Sequence, residues 1–158
     1  PDEFMWGKPG CLKQMVDAYH QTGGNMVSVI EVEPEKTGSY GIISPGKRDG
    51  KLTEVTAMVE KPAPADAPSN LAISGRYILQ PEVMEILSHQ EKGAGGEIQL
   101  TDAMAQMIGR QPFHAHTFDG RRFDCGSNLG FAYANFALAL ERDDIGEDLR
   151  RMAKDLIC

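Results

Sequence analysis

Two kinds of periodicity take turns along this chain, and that alternation restricts its fold more than any other feature. Cys11, Leu12, Met15, Val16 and Tyr19 recur at three- and four-residue spacing, which predicts an amphipathic helix stopped by Gly23-Gly24. Residues 26–32 form a short apolar run with β-branched members, expected as a buried strand. A further short strand is predicted over 40–44, followed by the polar turn Pro45-Gly46-Lys47-Arg48-Asp49-Gly50. Residues 71–79 are apolar on both faces and predict a central strand, and Pro81 suits the first turn of a helix through Leu87. Gly93-Ala94-Gly95-Gly96 reads as a flexible loop, and residues 100–108 as a helix with Thr101 as its cap and Gly109 as its stop. Residues 113–118 alternate as a strand, and Asp119-Gly120 reads as a hairpin-type turn into 121–124. Helices over 128–141 and 146–156 finish the chain. Strands and helices interleaved in this way predict an α/β fold, a mixed β-sheet flanked by helices.

One strand carries more than packing information. In residues 52–59, Leu52, Glu54, Thr56 and Met58 fall on one side and Thr53, Val55, Ala57 and Val59 on the other. The strand ends on Glu60-Lys61, and Pro62 stops it because proline has no N–H to give the ladder. An acid and a base delivered together at the carboxyl end of a strand stand where open α/β sheets bind ligands. A charge pair facing water at a strand end fits the same letters. Gly75, inside the 71–79 run, marks either a bulge or a close approach of a ligand to the backbone.

The chain has 158 residues, 41% of them hydrophobic and 25% charged, which suits one globular domain. Its formal charge of -7 argues against a nucleic-acid partner, which needs a basic footprint. An anionic small ligand would instead need a local cation, a lysine or a bound metal. Cys11, Cys125 and Cys158 are odd in number and widely spaced, so the expected setting is a reducing cytoplasm. No apolar run is long enough to span a bilayer and no signal peptide is visible, so no membrane is expected. The opening Pro1-Asp2-Glu3-Phe4 lacks an initiator methionine and reads like the middle of a chain.

Asp124 falls at a strand-to-helix turn before Cys125-Gly126-Ser127, a place suited either to a hard cation or to a helix-capping aspartate. His114 and His116 share one strand face; with no third ligand nearby they read as a surface pair rather than a metal site. Cys125 has no histidine close in sequence and reads as a small buried residue rather than a nucleophile.

Four segments, in this order, resemble the bacterial UTP–glucose-1-phosphate uridylyltransferases (UDP-glucose pyrophosphorylases). They are Met58-Val59-Glu60-Lys61-Pro62; the stretch from Ala67-Pro68-Ser69-Asn70 through Ser74-Gly75-Arg76-Tyr77 to Leu79; Gly96-Glu97-Ile98-Gln99-Leu100-Thr101-Asp102-Ala103; and Phe123-Asp124-Cys125-Gly126-Ser127. The resemblance covers essentially the whole chain, as the carboxyl-terminal, sugar-binding part of a single Rossmann-like nucleotidyltransferase domain. It implies UTP, glucose 1-phosphate and UDP-glucose as ligands, Mg²⁺ as cofactor, and a homo-oligomer, dimer or tetramer. It also implies that Glu60 accepts hydrogen bonds from glucose hydroxyls, that Lys61 contacts phosphates, and that Gly75 lets main chain approach the sugar. Asp124 would be one Mg²⁺ aspartate and Asp2, at the end of a Leu-Pro-Asp-like motif, the other. Glu97 would flank the sugar pocket, with Thr101 and Asp102 as helix-start residues. Lys61 and Asp124 would carry the chemistry. Two departures stand out: Asn128 occupies a position where the family often has lysine, and the family's amino-terminal Gly-rich nucleotide loop has no counterpart here. The alternative expectation is therefore a sugar-nucleotide-binding or assembly module without turnover of its own.

Overall fold

A computed structural model describes residues 2–157. The strands are β1 (Glu3–Trp6), β2 (Asn25–Glu31), β3 (Gly41–Asp49), β4 (Leu52–Glu60), β5 (Leu71–Ile78), β6 (Phe113–Thr117) and β7 (Arg121–Asp124). The helices are α1 (Cys11–Thr22), α2 (Glu82–His89), α3 (Leu100–Met107), α4 (Asn128–Leu140) and α5 (Gly146–Ile157). The mixed α/β architecture expected from the two periodicities is present. None of the described helices is long and apolar enough to cross a membrane. The chain forms two compact units, one made of its two ends, up to Lys8 and from Gly120 onward, the other of Pro9–Asp119.

In the Pro9–Asp119 unit, β2 lies between β6, to which it is parallel, and β5, to which it is antiparallel. Its residues from Asn25 to Val29 are buried, as a continuous apolar run requires. The pairings go on from β6 to β4 and from β4 to β3, and Ile42 opposite Ala72 joins β3 back to β5, closing a ring. Val83 of α2 and Ala103, Met104 and Met107 of α3 share one core with Val27, Val29, Ile43, Val55 and Met58. The stop of α1 falls where the glycines put it: Gly23 takes φ 62° and its N–H donates to the Tyr19 carbonyl at 2.7 Å.

Three local expectations change. The segment read as a turn after Ser44 is strand, since β3 continues to Asp49. Pro45 is tolerated because it sits at a register shift, where ladder hydrogen bonds are already given up. Asp119-Gly120 is not a hairpin turn between partners: β2 and β4 occupy both edges of β6, and β7 pairs instead with β1. The alternation of β4 changes phase as well. Ser44 faces Ala57 and Pro45 faces Val55, which leaves Thr56 as an extra residue in a bulge. Thr53 and Val55 are buried before the bulge and Met58 after it. Glu60 consequently continues the inward face of Met58, while Val59 and Lys61 are exposed.

The histidine pair is not on the surface: His116 is buried and His114 half-buried. Burial, aided by the charge of Lys51, holds the His116 imidazole below its ordinary value of 6.5. The unfolded chain then gains a proton at a pH where the folded chain does not, so stability is complete above that value and falls as pH drops below it. Urea titrations should show the unfolding free energy declining as pH falls below about 6.5. In His116→Gln that part of the decline should be absent; an unchanged pH profile would contradict the assignment.

In the unit built from the chain ends, β1 and β7 form a two-stranded antiparallel sheet with Glu3 opposite Asp124 and Phe4 opposite Phe123. Arg122 bridges to Glu3 across it. Phe123, Ala134 and Ala137 form its core with Trp6 and Cys125 packed against them. Ala134 and Ala137 of α4 face inward while Leu129, Phe131, Tyr133 and Phe136 remain exposed. Cys11 and Cys125 are free thiols.

Candidate functional site

In the Pro9–Asp119 unit the structure gathers residues around the end of β4. The Glu60 side chain is only 11% exposed and its Oε2 accepts a 2.6 Å hydrogen bond from Thr101 Oγ1. Lys61 Nζ stands 3.7 Å from Glu60 Oε1, with half of its side chain in solvent. The ion pair is loose and wet, so it adds little to stability. Lys61 nevertheless holds φ 47°, the left-handed region, alone in this among the described non-glycine residues. Its N–H donates to the Tyr40 carbonyl at 3.0 Å, and the buried Pro62 follows. A bulky residue kept in that region costs about 1–3 kcal/mol, and such strain clusters at functional sites.

At Gly75 the bulge reading holds. The glycine takes φ 61° at a register shift in β5, between Tyr77 opposite Val27 and Ile73 opposite Val29, so the bulge is real. A Cβ built on it would meet nothing within 4 Å, so its open side is free for an approaching group. Glu97 lies exposed in the loop before α3, where its carbonyl accepts from the Gly93 N–H at 2.8 Å.

Thr101 is not the helix cap. Gln99 occupies that position, and Thr101, buried in the first turn of α3, gives its hydroxyl to Glu60. Gly41, opposite Glu60 in the ladder, makes this bond feasible: a Cβ there would lie 2.9 Å from Thr101 Oγ1 and 3.1 Å from Glu60 Oε2. Sequence reasoning missed both residues. A buried glycine at a strand start across from an acid is the signal that could have found Gly41.

In the unit of the chain ends, the helix-capping alternative for Asp124 is removed. Ser127 caps α4, its Oγ accepting from the Gly130 N–H at 3.0 Å. Asp124 Oδ1 instead accepts from the Gly126 N–H at 3.0 Å, on an exposed residue. The Asp2 carbonyl accepts from the Cys125 N–H at 2.6 Å, which ties Asp2 to the same turn. A Cβ on Gly126 would lie 3.3 Å from Asp124 Oδ1 and 3.8 Å from Asp2 Cγ, so the two aspartates flank one bare glycine. A Cβ on Gly130 would strike the Asp124 carbonyl, a close approach that sequence reasoning also missed. Among the described residues no three His, Cys, Asp or Glu side chains gather as a metal cluster. Two hard carboxylates fit Mg²⁺, which commonly takes one or two and completes its shell with phosphate oxygens and water.

The nucleotidyl transferase family profile matches residues 5–141, most of the chain. The chain belongs to the nucleotidyl transferase family. Among members of this family, UTP–glucose-1-phosphate uridylyltransferase of Komagataeibacter xylinus is 54% identical over 129 residues, 82% of this chain and 45% of the relative. The Staphylococcus epidermidis protein of the same name is 41% identical over 155 residues, 98% of this chain and 54% of the relative. A crystal structure of UDP-glucose pyrophosphorylase complexed with UDP-glucose superposes with a TM-score of 0.84 at 40% identity, over 89% of this chain and 54% of that one. UDP-glucose pyrophosphorylase from Acinetobacter baumannii gives a TM-score of 0.83 at 29% identity, over 99% and 54% of the two chains. The resemblance drawn from the four motifs is borne out at the level of these relatives. The chain spans about half the length of the curated relatives it matches.

Proposed function

We propose that this nucleotidyl transferase chain supplies the sugar-phosphate and metal side of a site that makes UDP-glucose and pyrophosphate from UTP and glucose 1-phosphate. The observation that carries the reading is the end of β4. There an acid is turned inward and anchored, and the next residue is a cation held outward in a strained backbone. Glu60 accepts hydrogen bonds from glucose hydroxyls and Lys61 takes phosphate oxygens. The open side of Gly75 gives the sugar access to main chain. Glu97 is assigned to the rim of the sugar pocket, on the family resemblance alone.

In the reaction, a phosphate oxygen of glucose 1-phosphate attacks the α-phosphorus of UTP, a new P–O bond forms, and the α–β bridging bond breaks to release pyrophosphate. Little covalent work falls to the protein, so positioning and neutralisation of charge supply the rate. Asp2 and Asp124 would hold Mg²⁺, which when bound would supply positive charge to neutralise the phosphates. Lys61 meets the charge that develops on the phosphoryl oxygens, and Glu60 fixes the sugar so that the attacking oxygen is in line.

A second reading is a sugar-nucleotide-binding or assembly module without turnover. Incubation with UTP, glucose 1-phosphate and Mg²⁺, followed by a pyrophosphate assay, separates the two. The full-length enzyme should release pyrophosphate and UDP-glucose in equal amounts, and the 158-residue chain alone should release none while still binding UDP-glucose. A full-length enzyme that forms no UDP-glucose would overturn the proposal. We further propose that the protein forms a homo-oligomer, a dimer or tetramer, on the family resemblance alone. Sedimentation equilibrium showing a monomer at micromolar concentration would reject that proposal.

A further inference from the structure

We infer that Thr101 is a positioning residue for substrate, acting through Glu60. This rests on the proposed sugar-binding role of Glu60 and adds to it the group that aims the carboxylate.

Three observations converge. Thr101 is 8% exposed and sits in the first turn of α3, so its hydroxyl has a fixed origin. Its Oγ1 donates to Glu60 Oε2 at 2.6 Å, a short, charge-assisted bond on a side chain that is itself almost enclosed. Gly41 leaves the gap in which the two side chains meet, since a Cβ there would lie within about 3 Å of both oxygens. The result is a carboxylate whose two oxygens have different duties. Oε2 is committed to the threonine, while Oε1 faces the Lys61 side at 3.7 Å and keeps its lone pairs for a hydroxyl donor.

A glutamate has three rotatable bonds, and one anchored oxygen removes most of that freedom before a sugar arrives. Without the anchor the carboxylate must be ordered by the ligand itself, and affinity for the sugar falls. Valine matches threonine in shape but has no hydroxyl, so Thr101→Val deletes the bond and keeps the packing. Serine restores the hydroxyl and loses only a methyl.

The test uses the full-length enzyme and three variants, Thr101→Val, Thr101→Ser and Glu60→Gln, with steady-state kinetics in glucose 1-phosphate and in UTP. Thr101→Val should raise the KM for glucose 1-phosphate roughly tenfold with the KM for UTP unchanged. Thr101→Ser should return it to within about twofold of the parent. A merely structural threonine would disturb both KM values together or neither. If Glu60→Gln weakens glucose 1-phosphate binding and Thr101→Val does not, the positioning role is wrong and the role of Glu60 stands. If neither variant alters the sugar KM, both assignments fall. Slow exchange of the Thr101 hydroxyl proton, seen by NMR in the ligand-free 158-residue chain, checks the bond independently of any activity. A rapidly exchanging hydroxyl would overturn the inference.

Discussion

Replacing Lys61 by methionine in the full-length enzyme is expected to lower turnover by about 10²- to 10³-fold, the usual cost of removing one charge-stabilising donor from a phosphoryl-type transition state. Stability should barely move. The side chain is half in solvent, its contact with Glu60 is a loose 3.7 Å pair, and methionine keeps the length and apolar stem of lysine. Separating the two effects is what gives the experiment its value. A urea midpoint equal to the parent's, combined with lost turnover, places the ammonium in the reaction. Near-normal turnover would remove Lys61 from the mechanism. Lys61→Arg makes a useful companion, because a planar, forked cation cannot replace a point charge in a strained backbone without loss.

Substituting Asp124 by asparagine should depress rate and metal affinity together, by roughly 10²-fold in rate at fixed Mg²⁺. Asparagine keeps an oxygen able to accept from the Gly126 N–H, so the turn before α4 should survive. Ser127 still caps the helix. What changes is the charge available to a hard cation beside Asp2. The check is a Mg²⁺ titration of rate in parent and variant, with far-ultraviolet circular dichroism to confirm the fold. A shifted titration with an unchanged spectrum assigns Asp124 to the metal. A superimposable titration would return it to a purely local role in the turn.

Much of the fold could be read from local pattern because its causes are local. The stop of α1 follows from Gly23 alone, since only the left-handed backbone is at issue there. The buried β2 follows from a run with no polar face. What local pattern could not supply was partnership. The four residues of β1 are too few for any period to emerge, and their strand character depends on β7, far along the chain. The same limit produced the false hairpin at Asp119-Gly120, where the turn chemistry was sound but both edges of β6 were already taken. Among the candidate site residues, Glu60, Lys61 and Asp124 were visible as residues with chemistry to offer. Thr101 and Gly41 were not, because their importance lies in a contact between α3 and β4 that no short window contains.

The extra residue in β4 bears on which length changes the strand can absorb. Removing Thr56 would restore plain alternation and still leave the acid inward, with Ser44 and Pro45 facing successive partners. Adding one residue between the bulge and Glu60 would exchange the two charges, driving the ammonium into the protein and the carboxylate out to water. Length variation here is therefore lopsided: a shorter strand survives, and a longer one turns the site inside out.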